Sequence, residues 1–312
     1  MTSLLAVDRS WEAVLPRASG AFDWWYLDAR TPEGDALVFI FARALPFFPG
    51  EGPTVNLALV RRGRKALWLL EHQKRHSVLW SNASGFMVEA GNNQLRVERT
   101  AAGLALTARV DLAVPGDLRR LTGTISLSGP ASFEGGPSPH AHRWAPICPV
   151  ATVRARLDFG GAPHFALDAP GYLDRNLADA PLEALGVDRW TWGRAREGDR
   201  CAIWYALEGQ SGREEHRLDF DGARASPGAP REVVTQKRIE SGPFYSRWLA
   251  DAGGTPAIVE RCEVRRIHAR WHRPLVRMRQ HREGDRNSFW SPLFCGPAEG
   301  RFLRLLRVGG RR

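Results

Sequence analysis

Leu104-Ala105-Leu106-Thr107-Ala108-Arg109-Val110-Asp111-Leu112 decides the fold class. Positions 104, 106, 108, 110 and 112 are apolar, and Thr107, Arg109 and Asp111 alternate with them. That period of two belongs to a strand with one face in a core and the other in water. Leu121-Thr122-Gly123-Thr124-Ile125-Ser126-Leu127 and Val55-Asn56-Leu57-Ala58-Leu59 are strand candidates of the same kind. Leu37-Val38-Phe39-Ile40-Phe41 is a continuous apolar run, the pattern of a strand buried on both sides. Further strands are predicted at 150–159, 200–207, 232–239 and 257–267. Turn clusters such as Pro49-Gly50-Glu51-Gly52-Pro53, Gly91-Asn92-Asn93, Pro115-Gly116-Asp117 and Pro227-Gly228 interrupt the chain at short intervals. No segment carries three turns of helical periodicity. A single helical turn is expected at 180–185, with Asp179 as N-cap and Pro181 in the first turn. The chain reads as all-β, in sandwich or barrel form.

A length of 312 residues accommodates one large or two ordinary domains, and 43% hydrophobic residues supply a sizeable core. We expect a boundary in the 178–187 stretch, giving domains at 1–184 and 185–312. Gly129–Pro139 reads as a long loop. No apolar run approaches the roughly 18–20 residues that span a bilayer. Met1–Arg9 has no basic leader followed by a long apolar run, so the expected location is the cytoplasm. Cys148, Cys201, Cys262 and Cys295 are widely spaced, and buried free thiols are expected rather than disulfides.

The formal charge of +10 comes from arginine, eight of them from Arg261 to Arg282. Such a surface favours anionic partners, although no nucleic-acid-binding motif accompanies it. A solvated basic face is the simpler alternative. His268 and His272 have the i, i+4 spacing of helical metal ligands, but their segment follows a strand pattern, so no metal site is expected. Walker, dinucleotide and Gly-x-Ser-x-Gly motifs are absent. Twelve tryptophans imply either large cores or a ligand tunnel with flat apolar walls.

The chemistry-bearing residues concentrate in His142-Arg143-Trp144-Ala145-Pro146, Gly171-Tyr172-Leu173-Asp174-Arg175-Asn176 and Trp190-Thr191-Trp192-Gly193-Arg194-Ala195. A carboxylic acid is a far stronger proton donor than imidazolium or phenol. An apolar pocket keeps it protonated by disfavouring the anion. Asp174 is the candidate acid. Residues i and i+2 of a strand share a face, which puts Tyr172 beside Asp174 and His142 beside Trp144. His142 is a candidate hydrogen-bond partner of the acid, or acceptor of a proton from water. Trp144 and Tyr172 offer aromatic faces to a cation. Each of these residues singly has an ordinary structural reading, as a turn, a core plug or a satisfied histidine. Asp23, within Phe22-Asp23-Trp24-Trp25-Tyr26-Leu27-Asp28, is a secondary acid candidate with a strand-end structural role as the alternative.

These pieces, with Val55-Asn56-Leu57-Ala58-Leu59, resemble the carotenoid 1,2-hydratases, or hydroxyneurosporene synthases, of the lipocalin-like hydratase superfamily. The resemblance covers roughly the first two-thirds of the chain, and its motifs are specific together and weak apart. It implies two lipocalin-like β-domains with an active site between them. It implies addition of water to the terminal C1–C2 double bond of an acyclic carotenoid such as neurosporene or lycopene, with no redox cofactor or metal. His142, Trp144, Tyr172 and Asp174 fall on the family's His-x-Trp and Tyr-x-Asp positions. Trp24, Trp25, Tyr26, Trp190 and Trp192 are the candidate substrate-binding aromatics. Relatives with this architecture leave two other readings open: a cyclase folding a polyene, and a non-catalytic carrier of hydrophobic ligands.

A membrane-dissolved substrate requires access from the bilayer surface, and the C-terminal arginines with Trp271, Leu303 and Leu306 are candidates for contact with anionic lipid. Binding to anionic liposomes in sedimentation assays is then expected to weaken as salt rises to physiological concentration; salt-independent binding overturns electrostatic docking.

Overall fold

The computed structural model describes residues 22–44, 53–62, 64, 66–73, 77–82, 84–114, 117–132, 143–178, 180, 184–210, 212–229, 232–241, 245–263 and 307–309. The protein is all-β. A first run of strands comprises β1 (Phe22–Arg30), β2 (Ala36–Ala44), β3 (Thr54–Val60), β4 (Leu67–Gln73), β5 (Ser77–Asn82) and β6 (Gly85–Ala90). It continues through β7 (Asn93–Thr100), β8 (Gly103–Ala113), β9 (Arg120–Gly129), β10 (Arg143–Phe159) and β11 (Ala162–Ala178). A second run comprises β12 (Val187–Glu197), β13 (Arg200–Gly209), β14 (Gly212–Asp221), β15 (Arg224–Pro227), β16 (Val234–Ser241), β17 (Tyr245–Ala252) and β18 (Thr255–Glu263). A short β19 (Arg307–Gly309) adds in parallel to β4.

The first run forms a 12-stranded sheet in the order β19-β4-β3-β2-β1-β11-β10-β9-β8-β7-β6-β5, and the second a 7-stranded sheet in the order β15-β14-β13-β12-β18-β17-β16. The large sheet curls until distant strands meet. Glu71 on β4 accepts the backbone N–H of Ala113 on β8 at 3.0 Å and pairs with Arg120 at 3.5 Å. One core fills the inside of the curl, from Trp25, Leu27 and Phe39 to Phe86, Leu106 and Leu127. A second core lies between the outer face of β1–β3, β10 and β11 and the small sheet.

β8 bears out its alternation, with Leu104, Leu106, Ala108, Val110 and Leu112 buried. β1 is covered on both faces, so every residue from Phe22 to Ala29 is buried: Phe22, Trp24 and Tyr26 enter the intersheet core while Trp25, Leu27 and Ala29 enter the curl. Both faces sequestered is also why β2 carries Leu37–Phe41 without a polar interruption.

The strand expected from 150 begins earlier, at Arg143, so the Trp144 motif lies on β10. Pro146 and Pro149 cannot donate to the ladder, and the β10–β11 register shifts between Pro146 and Cys148 and again between Cys148 and Ala151. Residues 184–186 form a turn; 179 and 181–183, the remainder of the expected helical turn, lie outside the described residues. So do most of the 129–139 loop, His268, His272, the arginines beyond Arg261 other than Arg307, Trp271, Leu303 and Leu306. No helix among the described residues is long and apolar enough to cross a membrane.

Gly171 shows how tightly β1, β10 and β11 meet. A Cβ there would collide with the Val153 side chain and approach the Asp28 carbonyl oxygen to 2.8 Å. Gly171→Val is expected to lower the unfolding free energy by about 1–3 kcal/mol in urea titrations, the usual cost of overpacking; unchanged stability contradicts that packing.

Candidate active site

Strand pairing places the site. On β11, Tyr172, Asp174 and Asn176 point toward the small sheet, and the register sets them opposite Asp28, Tyr26 and Trp24 of β1. Trp144 of β10 lies opposite Asn176. Trp144 Nε1 donates to Asp174 Oδ2 at 2.9 Å, and the Tyr172 hydroxyl donates to the same oxygen at 2.9 Å. Asn176 Nδ2 donates to Oδ1 at 2.8 Å. The carboxyl is 2% exposed, so these donors replace water.

All three donors are neutral, so none of them brings a compensating positive charge. Burial drives the Asp174 carboxyl well above the usual carboxylate range, against the hydrogen bonds from Trp144 and Tyr172. The charges of Glu260 and Asp28 push it the same way. Burial, with the charge of Asp174 next, also holds the Tyr172 phenol well above its ordinary value. The result is a carboxyl that holds its proton more tightly than usual, among neutral donors in a dry aromatic layer.

Aromatic rings from both sheets build that layer. Trp24 stacks on Trp190 with centroids 5.9 Å apart, and Trp144 stacks on Tyr205 at 5.1 Å. Trp192 meets Tyr26 edge-on at 5.0 Å and Tyr172 at 5.3 Å. Next to the rings lie two buried ion pairs. Arg194 of β12 crosses to Asp28 of β1, and Arg247 of β17 pairs with Glu260 of β18. Burial opposes the Arg194 charge, but Asp28 outweighs it and raises that pKa. The guanidinium of Arg194 lies 5.8 Å from the Tyr172 ring centroid, and that of Arg247 5.7 Å from Tyr26.

The structure therefore brings together Asp174, Tyr172, Trp144, Trp24, Tyr26, Trp190 and Trp192. Trp25 stands apart: it faces the interior of the curl, packs on Phe86 at 5.1 Å and lies under Arg175. Its expected place among the substrate-binding aromatics has no geometric support, because alternation along β1 turns it away from Asp174. His142 lies outside the described residues. Asp23 is held by Arg175 at 3.0 and 2.9 Å, with Arg43 at 3.6 Å, an arrangement with a structural role rather than an acid's. Cys148 and Cys201 are free and buried, and burial pushes both thiols up to about 12; Cys262 and Cys295 are not described at side-chain level.

Sequence reasoning missed Asn176, Tyr205, Glu260 and Arg247, and the pairing of Asp28 with Arg194. One signal was available. Trp24-x-Tyr26-x-Asp28 and Trp190-x-Trp192-x-Arg194 each put two aromatics and one charge on a single strand face, with opposite signs.

A curled antiparallel sheet capped by a second sheet, with a buried carboxyl in the aromatic seam, defines a lipocalin-like β-protein. The crystal structure of an AttH protein from Nitrosomonas europaea shares the fold, with a TM-score of 0.52 at 16% identity, over 78% of this chain and 93% of that one. The family described as carotenoid hydratase CrtC matches residues 53–227, more than half of the sequence, and the chain belongs to that family. It is 25% identical over 291 residues to the acyclic carotenoid 1,2-hydratase of Rubrivivax gelatinosus, covering 76% of this chain and 66% of that protein. With the acyclic carotenoid 1,2-hydratase of Thiocapsa roseopersicina it shares 26% over 285 residues, covering 77% and 67%. The chain thus spans about two thirds of the length of these relatives.

A carboxyl whose folded pKa lies above its ordinary value of 3.8 binds its proton more tightly in the folded state. Its stabilising contribution is full below that value and is lost as pH rises through the folded pKa. Relative to Asp174→Asn, the wild type should lose up to about 1.4 kcal/mol of stability per pH unit above pH 4 in urea titrations. A pH-independent difference between the two proteins refutes a neutral carboxyl at 174.

Proposed function

We propose that the protein is a hydratase of acyclic carotenoids that adds water across the terminal C1–C2 double bond, with neurosporene or lycopene as the substrate type. The observation that carries this reading is Asp174, a buried carboxyl surrounded by neutral donors and aromatic rings. Family membership and the activity of the two carotenoid 1,2-hydratase relatives support the substrate class.

The chemistry follows from the residues. A carboxyl has about four acceptor positions, and three of them are taken by Trp144, Tyr172 and Asn176. The remaining one, on Oδ1, is where the acid proton resides. Asp174 transfers that proton to C2, and the positive charge develops at the tertiary C1. The three donors then stabilise the carboxylate that forms, so they are worth more in the transition state than before it. Tyr172, Tyr26, Trp192 and Trp144 present π faces to the cation, each contributing about 0.5–2 kcal/mol when desolvated. The dry layer excludes competing reactions of the cation with bulk water. Trp24 and Trp190 extend the aromatic wall along the hydrocarbon. The arginine-rich C-terminal segment would serve contact with an anionic membrane surface, where the substrate dissolves.

Expression in a lycopene-accumulating host, with pigments resolved by chromatography and mass, should give a 1-hydroxy product. Asp174→Asn keeps the shape but removes the acid, and is expected to cut product formation by roughly 10²–10⁴-fold. Tyr172→Phe and Trp144→Phe, each removing one donor, should cost on the order of tenfold or more. Full activity in Asp174→Asn rules out the mechanism, and stoichiometric pigment binding without product would identify a carrier.

A further inference from the structure

Hydration needs a second group, because the water that captures the cation must be held in place and must lose a proton. We propose that Asp28 and Trp192 hold this water, with Asp28 Oδ2 accepting its proton; the assignment rests on the hydratase reading. Asp28 is fully buried and Trp192 is 4% exposed. Arg194 directs both Nε and Nη2 to a single oxygen of Asp28, Oδ1, and leaves Oδ2 without a hydrogen bond. Trp192 Nε1 is likewise buried without an acceptor. One is an acceptor and the other a donor, and both border Tyr172: Trp192 through ring contact at 5.3 Å, Asp28 as the residue opposite it in the β1–β11 register. Buried polar groups are seldom left unsatisfied, and a water molecule can accept from one and donate to the other.

The placement relative to the acid fits the reaction. Tyr26 lies opposite Asp174 and Asp28 opposite Tyr172, so the two carboxyl residues are diagonal neighbours on one sheet face. Such neighbours have Cα atoms roughly 7–8 Å apart. A polar groove approaches the same strands. A groove of about 400 Å³ is lined by Ser128, Thr152, Arg196, Asp199 and Asp221. Arg196, two residues beyond Arg194 on β12, donates to the carbonyl of Gly171 at 3.2 Å, and Gly171 backs onto the Asp28 main chain. Arg196 thus links the groove to the backbone next to Asp28.

The step balances without a further reagent. The π pair of the alkene forms the C2–H bond with the proton of Asp174. A lone pair of water forms the C1–O bond, and the O–H bond of the resulting oxonium breaks as its proton moves to Asp28 Oδ2. An oxonium is a much stronger acid than any carboxylic acid, so a carboxylate engaged by arginine is basic enough. Asp174 ends one proton short and Asp28 one in excess, and return of that proton restores the site.

Turnover in D2O separates the two carboxyls. In Asp28→Asn, Asp174 still delivers a deuteron, but the cation returns to alkene by losing hydrogen from carbon. Recovered carotenoid should then carry deuterium while alcohol falls about 100-fold. In Asp174→Asn both signals should vanish. Because Asp28→Asn strands Arg194, two further variants guard against misfolding: Asp28→Asn with Arg194→Gln, which removes both charges, and Trp192→Phe, which keeps an aromatic ring but removes the donor nitrogen with the five-membered ring. Trp192→Phe should lower alcohol by about tenfold more than it lowers deuterium entry, because a phenyl ring still faces the cation while the donor is gone. Alcohol formation at the wild-type rate in Asp28→Asn, or in the folded double variant, overturns the assignment and returns the role to His142. If the wild type yields neither alcohol nor deuterated alkene, the hydratase reading fails, and the water assignment with it.

Discussion

The two sheets are joined by one matched set of contacts. Trp24, Tyr26 and Asp28 of β1 face Trp190, Trp192 and Arg194 of β12, meeting as stack, edge contact and ion pair in that order. Ring contacts of this kind contribute about 0.5–1.5 kcal/mol each beyond the area they bury. The ion pair fixes register: breaking it by removing one partner would leave a buried charge, at a cost of about 3–5 kcal/mol. A slip of one residue along either strand would turn the whole set into the opposite face. Arg30 and Arg196 reinforce the same alignment, donating across the interface to carbonyls of Ala250, Ala257 and Gly171.

The state of Asp174 depends on this closure. Three buried aspartates lie within a few residues of one another in the β1–β11 pairing, and each has a different set of partners. Asp23 meets Arg175 and Arg43, Asp28 meets Arg194, and Asp174 meets only neutral donors. A guanidinium compensates a buried carboxylate; indole, phenol and amide compensate it less, and the desolvation penalty then favours the protonated form. The second ion pair, Arg247 with Glu260, adds no net charge to the layer but sets an anion on the side from which Asp174 feels it. Two buried carboxyls with different partners thus coexist in one dry space, and only Asp28 has an arginine.

Much of this was legible in the chain. The alternation at 104–112 and 121–127 fixed strands whose exposure follows it, since a strand with one wet face writes its orientation into every second residue. The i, i+2 pairing of Tyr172 with Asp174 likewise became a hydrogen bond. The reading failed where both faces are buried. Along β1 the rule that aromatics cluster could not tell Trp24 from Trp25, because neighbouring residues point to different cores and both cores are apolar. Asn176 was quoted in a motif without a role, since an amide is an ordinary turn or strand-end residue until its partner is known.

Local pattern therefore determined the all-β class, the strand faces and the acid beside its phenol, because these depend on residues two apart in one strand. Tertiary structure alone decided that Asp28 would find Arg194 across 166 residues, that Arg247 would lie over Tyr26, and that Trp144 would reach Asp174 from a neighbouring strand. Such pairings join elements far apart in sequence, and only the packing of one sheet upon the other sets which carboxyl meets an arginine and which meets neutral donors alone.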